Sequence, residues 1–311
     1  MAPNILHFSY ICLFHLNIGT MSSFIIYTYQ FAPKIDTIDR YSNLFPESVV
    51  SPESVMKDKQ QTFQSLFADD SSFTFTVGDE TYNHQILLNS GGIIVLRIAN
   101  NKKIRHEENF IVKDIEDQPS CIVLIDNRHD CQSIAIQEKR TAFSSTDQVA
   151  RIMKKAFNAV LWRRFLVVDI LRRLEEKTFW NLVKRYPDGI KSVRFGLSYP
   201  NLPRVSDNVR EMFTELAREF GANSKYEITA IEGQPLKLND KSEYLKGLVS
   251  ASCESGQGIK ILPAGSKERW VSVGSDSNVS VEIPEVLFDS SEGKLFDDRF
   301  ERIAKIMNKF K

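Results

Sequence analysis

Apolar and polar positions change their period along the chain, and the changes divide it. From Phe24 to about Arg140, short apolar runs rich in β-branched and aromatic residues alternate with turn chemistry. Such runs predict strands at Phe24 to Phe31, Ser72 to Val77, Gly92 to Ile98, Cys121 to Ile125 and Ser133 to Gln137. Between the first two, Asp36 to Asp70 reads as a loop around Pro46 and Pro52 followed by a helix near Val55 to Phe67. Asn89-Ser90-Gly91-Gly92 and Asp126-Asn127-Arg128-His129-Asp130 are turn sequences between neighbouring strands.

At Ser144 or Ser145 the period lengthens from two to about 3.6. Ser145 with Gln148 three residues on has the form of an N-cap and capping box, and Val149, Ile152, Met153, Ala156, Phe157 and Val160 follow at helical spacing. Helical composition continues to Tyr186, where Pro187-Asp188-Gly189 stops it. The last third is mixed. Strands are expected at Lys191 to Leu197, Tyr226 to Ile231, Tyr244 to Ser250, Gly258 to Leu262, Trp270 to Val273 and Val279 to Ile283, with helices over Ser206 to Phe220 and Phe296 to Phe310. Gly256-Gln257-Gly258 reads as a hairpin turn, since it lacks the spacing and the Ser or Thr of a phosphate-binding loop.

These patterns predict an α+β protein: a β-rich N-terminal domain over 21–143, a central amphipathic basic helical segment over 144–187 and a small mixed α/β C-terminal domain over 188–311. Residues 1–20 are expected to be an upstream extension, with Met21 as the alternative start to Met1. The first 33 residues lack Asp, Glu, Lys and Arg, yet His7, Ser9, His15, Asn17, Gly19 and Thr20 interrupt their apolar run, so neither a secretory signal nor a membrane anchor is expected.

Charge adds a second division. The whole chain is neutral, with 40 basic and 40 acidic residues, so no global field draws it to nucleic acid or anionic lipid. Residues 36–130 carry 16 acidic and 9 basic groups, whereas residues 139–194 carry 5 acidic and 14 basic ones. On a single helix from 147 to 177, Arg151, Lys154, Lys155, Arg172, Arg173 and Lys177 would share one sector, opposite Val149, Ile152, Met153, Ala156, Val160, Ile170 and Leu174. Trp162, Phe165, Phe179 and Trp180 interleave with these bases, a combination suited to phosphates and unstacked bases. The same wheel puts Arg163 and Arg164 in the apolar sector and Phe165 and Leu166 among the bases, so one continuous exposed helix demands a phase change near Trp162 or cover on both sides.

Other chemistry has less support in the residues. No G-x-S-x-G elbow, H-E-x-x-H pair or G-x-G-x-x-G loop occurs, and no cofactor is expected. Cys12, Cys121, Cys131 and Cys253 are scattered without metal-ligand spacing, which favours reduced thiols and a cytoplasmic setting. Asp126, Asn127, Arg128, His129 and Asp130 are the densest polar cluster, and as a metal-dependent nuclease centre Asp126, His129 and Asp130 would hold a divalent cation that activates water. Glu138-Lys139 is adjacent rather than spaced by one residue, which puts the two side chains on opposite faces of a strand.

The stretch PSCIVLIDNRHDCQSIAIQEKRTAFSSTDQVARIMKKAF, residues 119–157, resembles the central part of uncharacterised bacterial accessory proteins of mobile elements and anti-phage defence, in which a β-hairpin likewise runs into a phenylalanine-serine turn and a helix. The resemblance spans about an eighth of the chain, implies a nucleic-acid-related accessory role and transfers no residue roles. Together these features lead to the expectation of a non-catalytic nucleic-acid-binding component of a larger assembly, with Arg151, Lys154, Lys155, Arg172, Arg173 and Lys177 on phosphates. The alternatives are the metal-dependent nuclease and a protein-binding scaffold. Nucleic acid and a protein partner are the expected partners, with no membrane.

Overall fold

A computed structural model describes residues 20–45, 47, 50–68, 73–129, 131–197, 211, 224–266, 269–273, 278–288 and 297–310. The described helices are α1 (Ile35–Leu44), α2 (Pro52–Lys57), α3 (Lys59–Gln64), α4 (Thr146–Leu161), α5 (Glu176–Lys184), α6 (Glu243–Glu254) and α7 (Asp297–Met307). The strands are β1 (Met21–Pro33), β2 (Phe75–Val77), β3 (Glu80–Tyr82), β4 (His84–Ser90), β5 (Ile93–Ala99), β6 (Lys102–Glu108), β7 (Ile111–Asp117), β8 (Ser120–Asp126), β9 (Ser133–Gln137), β10 (Leu166–Arg172), β11 (Ile190–Leu197), β12 (Ser224–Thr229), β13 (Ile259–Pro263), β14 (Val271–Ser272) and β15 (Ser280–Pro284). The protein is α+β, with a β-rich N-terminal region.

A seven-stranded antiparallel sheet runs in the order β10-β1-β9-β8-β5-β4, with β15 also paired to β1. β1 organises it. One edge of β1 pairs β9 through residues 24–28, while the other takes β15 along residues 21–25 and β10 along residues 27–33. The layer thus draws in strands from the middle and the end of the sequence. Successive β1 side chains go to opposite faces: Ile25, Tyr27, Tyr29 and Phe31 join one core with Phe63, Phe67 and the apolar side of α4. Phe24 and Ile26 join another with Ile283, Leu287, Ile303 and Met307. Because both faces are covered, β5, β8 and β9 read as continuous apolar runs instead of alternating ones.

The turn between β4 and β5 holds Gly91 and Gly92 at φ +56° and +80°, as a two-residue hairpin demands. A Cβ on Gly91 would stand 2.8 Å from the Phe300 ring, so the glycine also lets α7 approach the sheet. A second sheet, β12-β11-β13-β14, packs against α5 and α6 through Phe179, Val193, Phe195, Leu248, Val249 and Ile261.

Several expectations change. The supposed helix over 147–177 is broken: α4 ends at Leu161, a 3-10 turn covers Trp162–Arg164, Phe165 takes φ +60°, and β10 follows as an edge of the large sheet. Leu166, Val168 and Ile170 are buried and their neighbours are less so, a period-two pattern in a β-branched segment. The strand expected over Tyr244 to Ser250 is part of α6, whose cap is Ser242, its hydroxyl accepting from Leu245 N at 3.3 Å. Gly256 follows the end of that helix at φ +68°, so Gly256-Gln257-Gly258 links a helix to β13 and is not a hairpin turn. Expected loop residues contain α1, and β4, β6 and β7 add strands the pattern did not single out. The helix expected over 206–220 lies almost wholly outside the described residues.

Candidate nucleic-acid interface

α4 forms because Ser145 caps it and its apolar positions recur at helical spacing. The Ser145 hydroxyl accepts from Gln148 N at 3.3 Å. Gln148 turns its own amide oxygen to the backbone and hydroxyl of Ser144, so the reciprocal half of the capping box is replaced by a neighbouring contact. Val149, Ile152, Met153, Ala156, Phe157 and Leu161 go into the core, which leaves Arg151 and Lys155 facing solvent.

Four of the six candidate cations are engaged within the chain. Lys154 Nζ lies 2.6 Å from Asp169 on β10. Arg172 grips Asp147 with two bonds, Nε to Oδ1 at 3.2 Å and Nη2 to Oδ2 at 2.5 Å, and gives Nη1 to Asn278 at 2.8 Å. The Tyr27 hydroxyl donates to the same Asp147 at 2.7 Å, and burial pushes that phenol well above its ordinary pKa. Arg173 is the most enclosed, donating to Phe310 O at 2.7 Å and to Glu254 at 3.2 Å. Lys177 sits 2.9 Å from Glu175 while remaining open to water. Lys154, Arg172 and Arg173 therefore tie α4, β10, α6 and the C-terminal turn together in place of the expected exposed stripe, while Lys177 stays exposed.

Arg151 and Lys155 differ: both are exposed, and neither meets a carboxylate among the described residues. At about 100° per residue, Arg151, Lys155 and Trp162 fall within about 40° of one another on α4 and its continuation. Trp162 is 46% exposed, and the Arg163 guanidinium stands 5.7 Å from its ring centroid. Arg163 and Arg164 are exposed on the 3-10 turn. Sequence reasoning put them among apolar residues because it carried one helical phase past Trp162. Arg151, Lys155 and Trp162 thus lie along one side of α4 and its continuation, with Arg163 and Arg164 on the turn that follows, and Arg172, Arg173 and Lys177 lie on or after β10.

The Asp126 group is arranged differently from a metal centre. Asp126 is fully buried and held by Arg128, with Nε to Oδ1 at 2.9 Å and Nη2 to Oδ2 at 2.5 Å. Asn127 accepts from the Tyr29 hydroxyl at 2.8 Å and donates to Gln60 O at 2.8 Å, which fastens the turn to α3. His129 is exposed, and Asp130 lies outside the described residues. No cluster of three His, Cys, Asp or Glu suited to a metal occurs among the described residues. Cys121 and Cys253 are buried free thiols, each pushed up to about 12 by burial, which leaves them protonated and poor nucleophiles. A cleft of about 450 Å³ lined by Arg97, Gln137, Lys139 and Glu285 includes none of the six candidates. No described helix is long and apolar enough to cross a membrane. No family model, curated protein or solved structure matches the chain, so its own geometry carries the functional reading.

Proposed function

We propose that the chain is a non-catalytic, cytoplasmic nucleic-acid-binding component of a larger assembly, with a contact set moved to the solvent side of α4 and the turn that follows it. Arg151, Lys155, Arg163 and Arg164 meet phosphates, and Trp162 stacks on an unpaired base. One observation carries this reading: an exposed tryptophan with an arginine 5.7 Å from its ring centroid sits on the side of α4 where two further cations lack a carboxylate. Rings of this kind stack bases without sequence preference, and each neutralised phosphate releases a counterion. The resemblance of residues 119–157 to defence and mobile-element accessory proteins points the same way, as do the three free thiols for a reducing compartment.

Fluorescence anisotropy with a labelled single-stranded oligonucleotide tests this. Four phosphate contacts predict a log–log salt slope of about −3. Trp162→Ala should weaken binding by about 1–3 kcal/mol without changing that slope. Arg151→Ala with Lys155→Ala should lower the slope by about half. Absent binding, or binding indifferent to salt, would remove the proposal.

A further inference from the structure

β6 and β7 form a ribbon that pairs with no other strand among the described residues. Every side chain from Lys103 to Glu116 is exposed, including Ile104, Ile111, Val112 and Ile115. A two-stranded hairpin is marginal on its own in water, and its outer edges present unpaired N–H and C=O groups. The tip is unusual. Asn109 and Phe110 take φ +52° and +63°, the mirror-image turn that ordinarily accepts Asn-Gly. A phenylalanine holds the glycine position and is 96% exposed. Backbone strain retained at such a place, with the ring in water, points to contact with another molecule.

We propose that this ribbon is a dimerisation arm, and that it pairs edge to edge through β6 with the same ribbon of a second copy, about a two-fold axis at Arg105. The register follows from hydrogen-bond parity. Glu108 and Ile111 close the two-residue turn as a bonded pair, so even-numbered residues of β6 direct their backbone groups to β7. Lys103, Arg105 and Glu107 direct theirs to the open edge. An antiparallel pair of β6 strands must match odd with odd, which leaves symmetric registers centred on 104, 105 or 106.

Charge decides among them. Centred on Arg105, Lys103 faces Glu107 and Lys102 faces Glu108, four opposite-sign pairs across the axis. Centring on Ile104 sets Lys103 against Arg105 and Lys102 against His106. Centring on His106 gives two Arg105–Glu107 pairs and nothing further. The two arginines at the preferred axis each keep Asp114 of their own ribbon at 3.8 Å. Glu108 has Lys113 at 3.8 Å, and Lys102 donates to Thr141 O, a neutral partner that leaves its charge uncompensated. The β7 edge offers no register with four such pairs: centring on Lys113 or Asp114 gives none, and centring on Ile115 sets two Lys113–Asp117 pairs against two Asp114–Glu116 oppositions.

The same register carries Phe110 of the second copy level with Asn100. There a cleft of about 200 Å³ opens at the base of the ribbon, lined by Asn101, Lys102, Lys103, Glu116, Asp117 and Gln118. Each copy thus supplies a tip and a cleft, an isologous contact that closes at two.

Sedimentation of the full chain should show a dimer at micromolar concentration. Lys102→Glu with Lys103→Glu should weaken it about tenfold or more, and adding Glu107→Lys and Glu108→Lys to that chain should restore it. In a Cys12→Ser background, Arg105→Cys should cross-link to itself on mild oxidation, because paired strands hold facing Cα atoms about 5.5 Å apart, within disulfide reach. Lys103→Cys alone should not, whereas a mixture of Lys103→Cys and Glu107→Cys chains should. Phe110→Gly relieves the turn, so it should raise thermal stability while weakening the dimer, which separates a docking role from a folding one. A monomer whose Arg105→Cys variant stays uncross-linked overturns the proposal, and so does a dimer untouched by the charge reversals and by Phe110→Gly.

Discussion

Lys59 shows how burial sets the cost of a single charge. Its side chain lies in the body of the protein on α3, and burial lowers its pKa to about 8. The unfolded chain keeps that proton up to the ordinary lysine value of 10.5, so between about pH 8 and that value the unfolded state binds more protons and stability rises with pH. Lys59→Met should therefore flatten this rise, as read by urea denaturation at about pH 7 and about pH 9.5. A variant that keeps the alkaline gain would assign it to another group. Asp126 poses the reverse problem, a buried carboxylate held by Arg128. Arg128→Met should cost about 3 kcal/mol, since it strands a charge where water cannot reach it. The turn around Asp126 was legible from its Asp, Asn and His content. The inward direction of the Asp126 side chain was not, because a turn sequence specifies the backbone and leaves side-chain direction to whatever partner the fold supplies.

At the scale of elements, the legible parts were those whose local pattern agreed with their tertiary surroundings. β9 begins and ends where its apolar run does, at Ser133 and Gln137, and α4 starts one residue after its serine cap. That cap should be measurable: Ser145→Ala should destabilise the protein by about 1 kcal/mol, and Gln148→Ala by less, because the glutamine amide serves Ser144 rather than the cap itself. Chemical denaturation of the two variants side by side would show the order. β10 was misread because Trp162 to Arg173 has helix-compatible composition, and only the alternation of Leu166, Val168 and Ile170 marks a strand. Pairing with β1 over residues 27–33 settles the matter, since an edge of a buried sheet recruits β-branched residues whatever precedes them. α6 was missed for a related reason. Leu245, Leu248 and Val249 fit both a short strand and one side of a helix, and Ser242 decides between them only once its bond to Leu245 N is seen.

Across the whole molecule, part of the positive excess of residues 139–194 joins layers, through Lys154, Arg172 and Arg173, and Arg173 shows this most directly. It follows β10, the edge strand of the large sheet, and its guanidinium reaches Glu254 at the end of α6 and the carbonyl of Phe310 after α7. Gly256 stands beside the same junction, where a Cβ would approach the Leu171 side chain to 2.6 Å. Removing Arg173 would take the Arg173 cation from the largely enclosed Glu254, and breaking one side of such a pair costs up to about 3 kcal/mol, more than deleting both partners. Arg173→Ala should therefore lower stability clearly, Arg173→Ala with Glu254→Ala should recover part of the loss, and the non-additivity should exceed about 0.5 kcal/mol in a double-mutant cycle. Arg151→Ala with Lys155→Ala, at exposed positions, should stay within about 0.5 kcal/mol of the parent. The contrast separates the two uses of basic residues in one segment. If Arg173→Ala left stability unchanged but reduced oligonucleotide binding, the guanidinium would be facing phosphate in solution, and its junction with Glu254 and Phe310 would not be what holds the two sheets together.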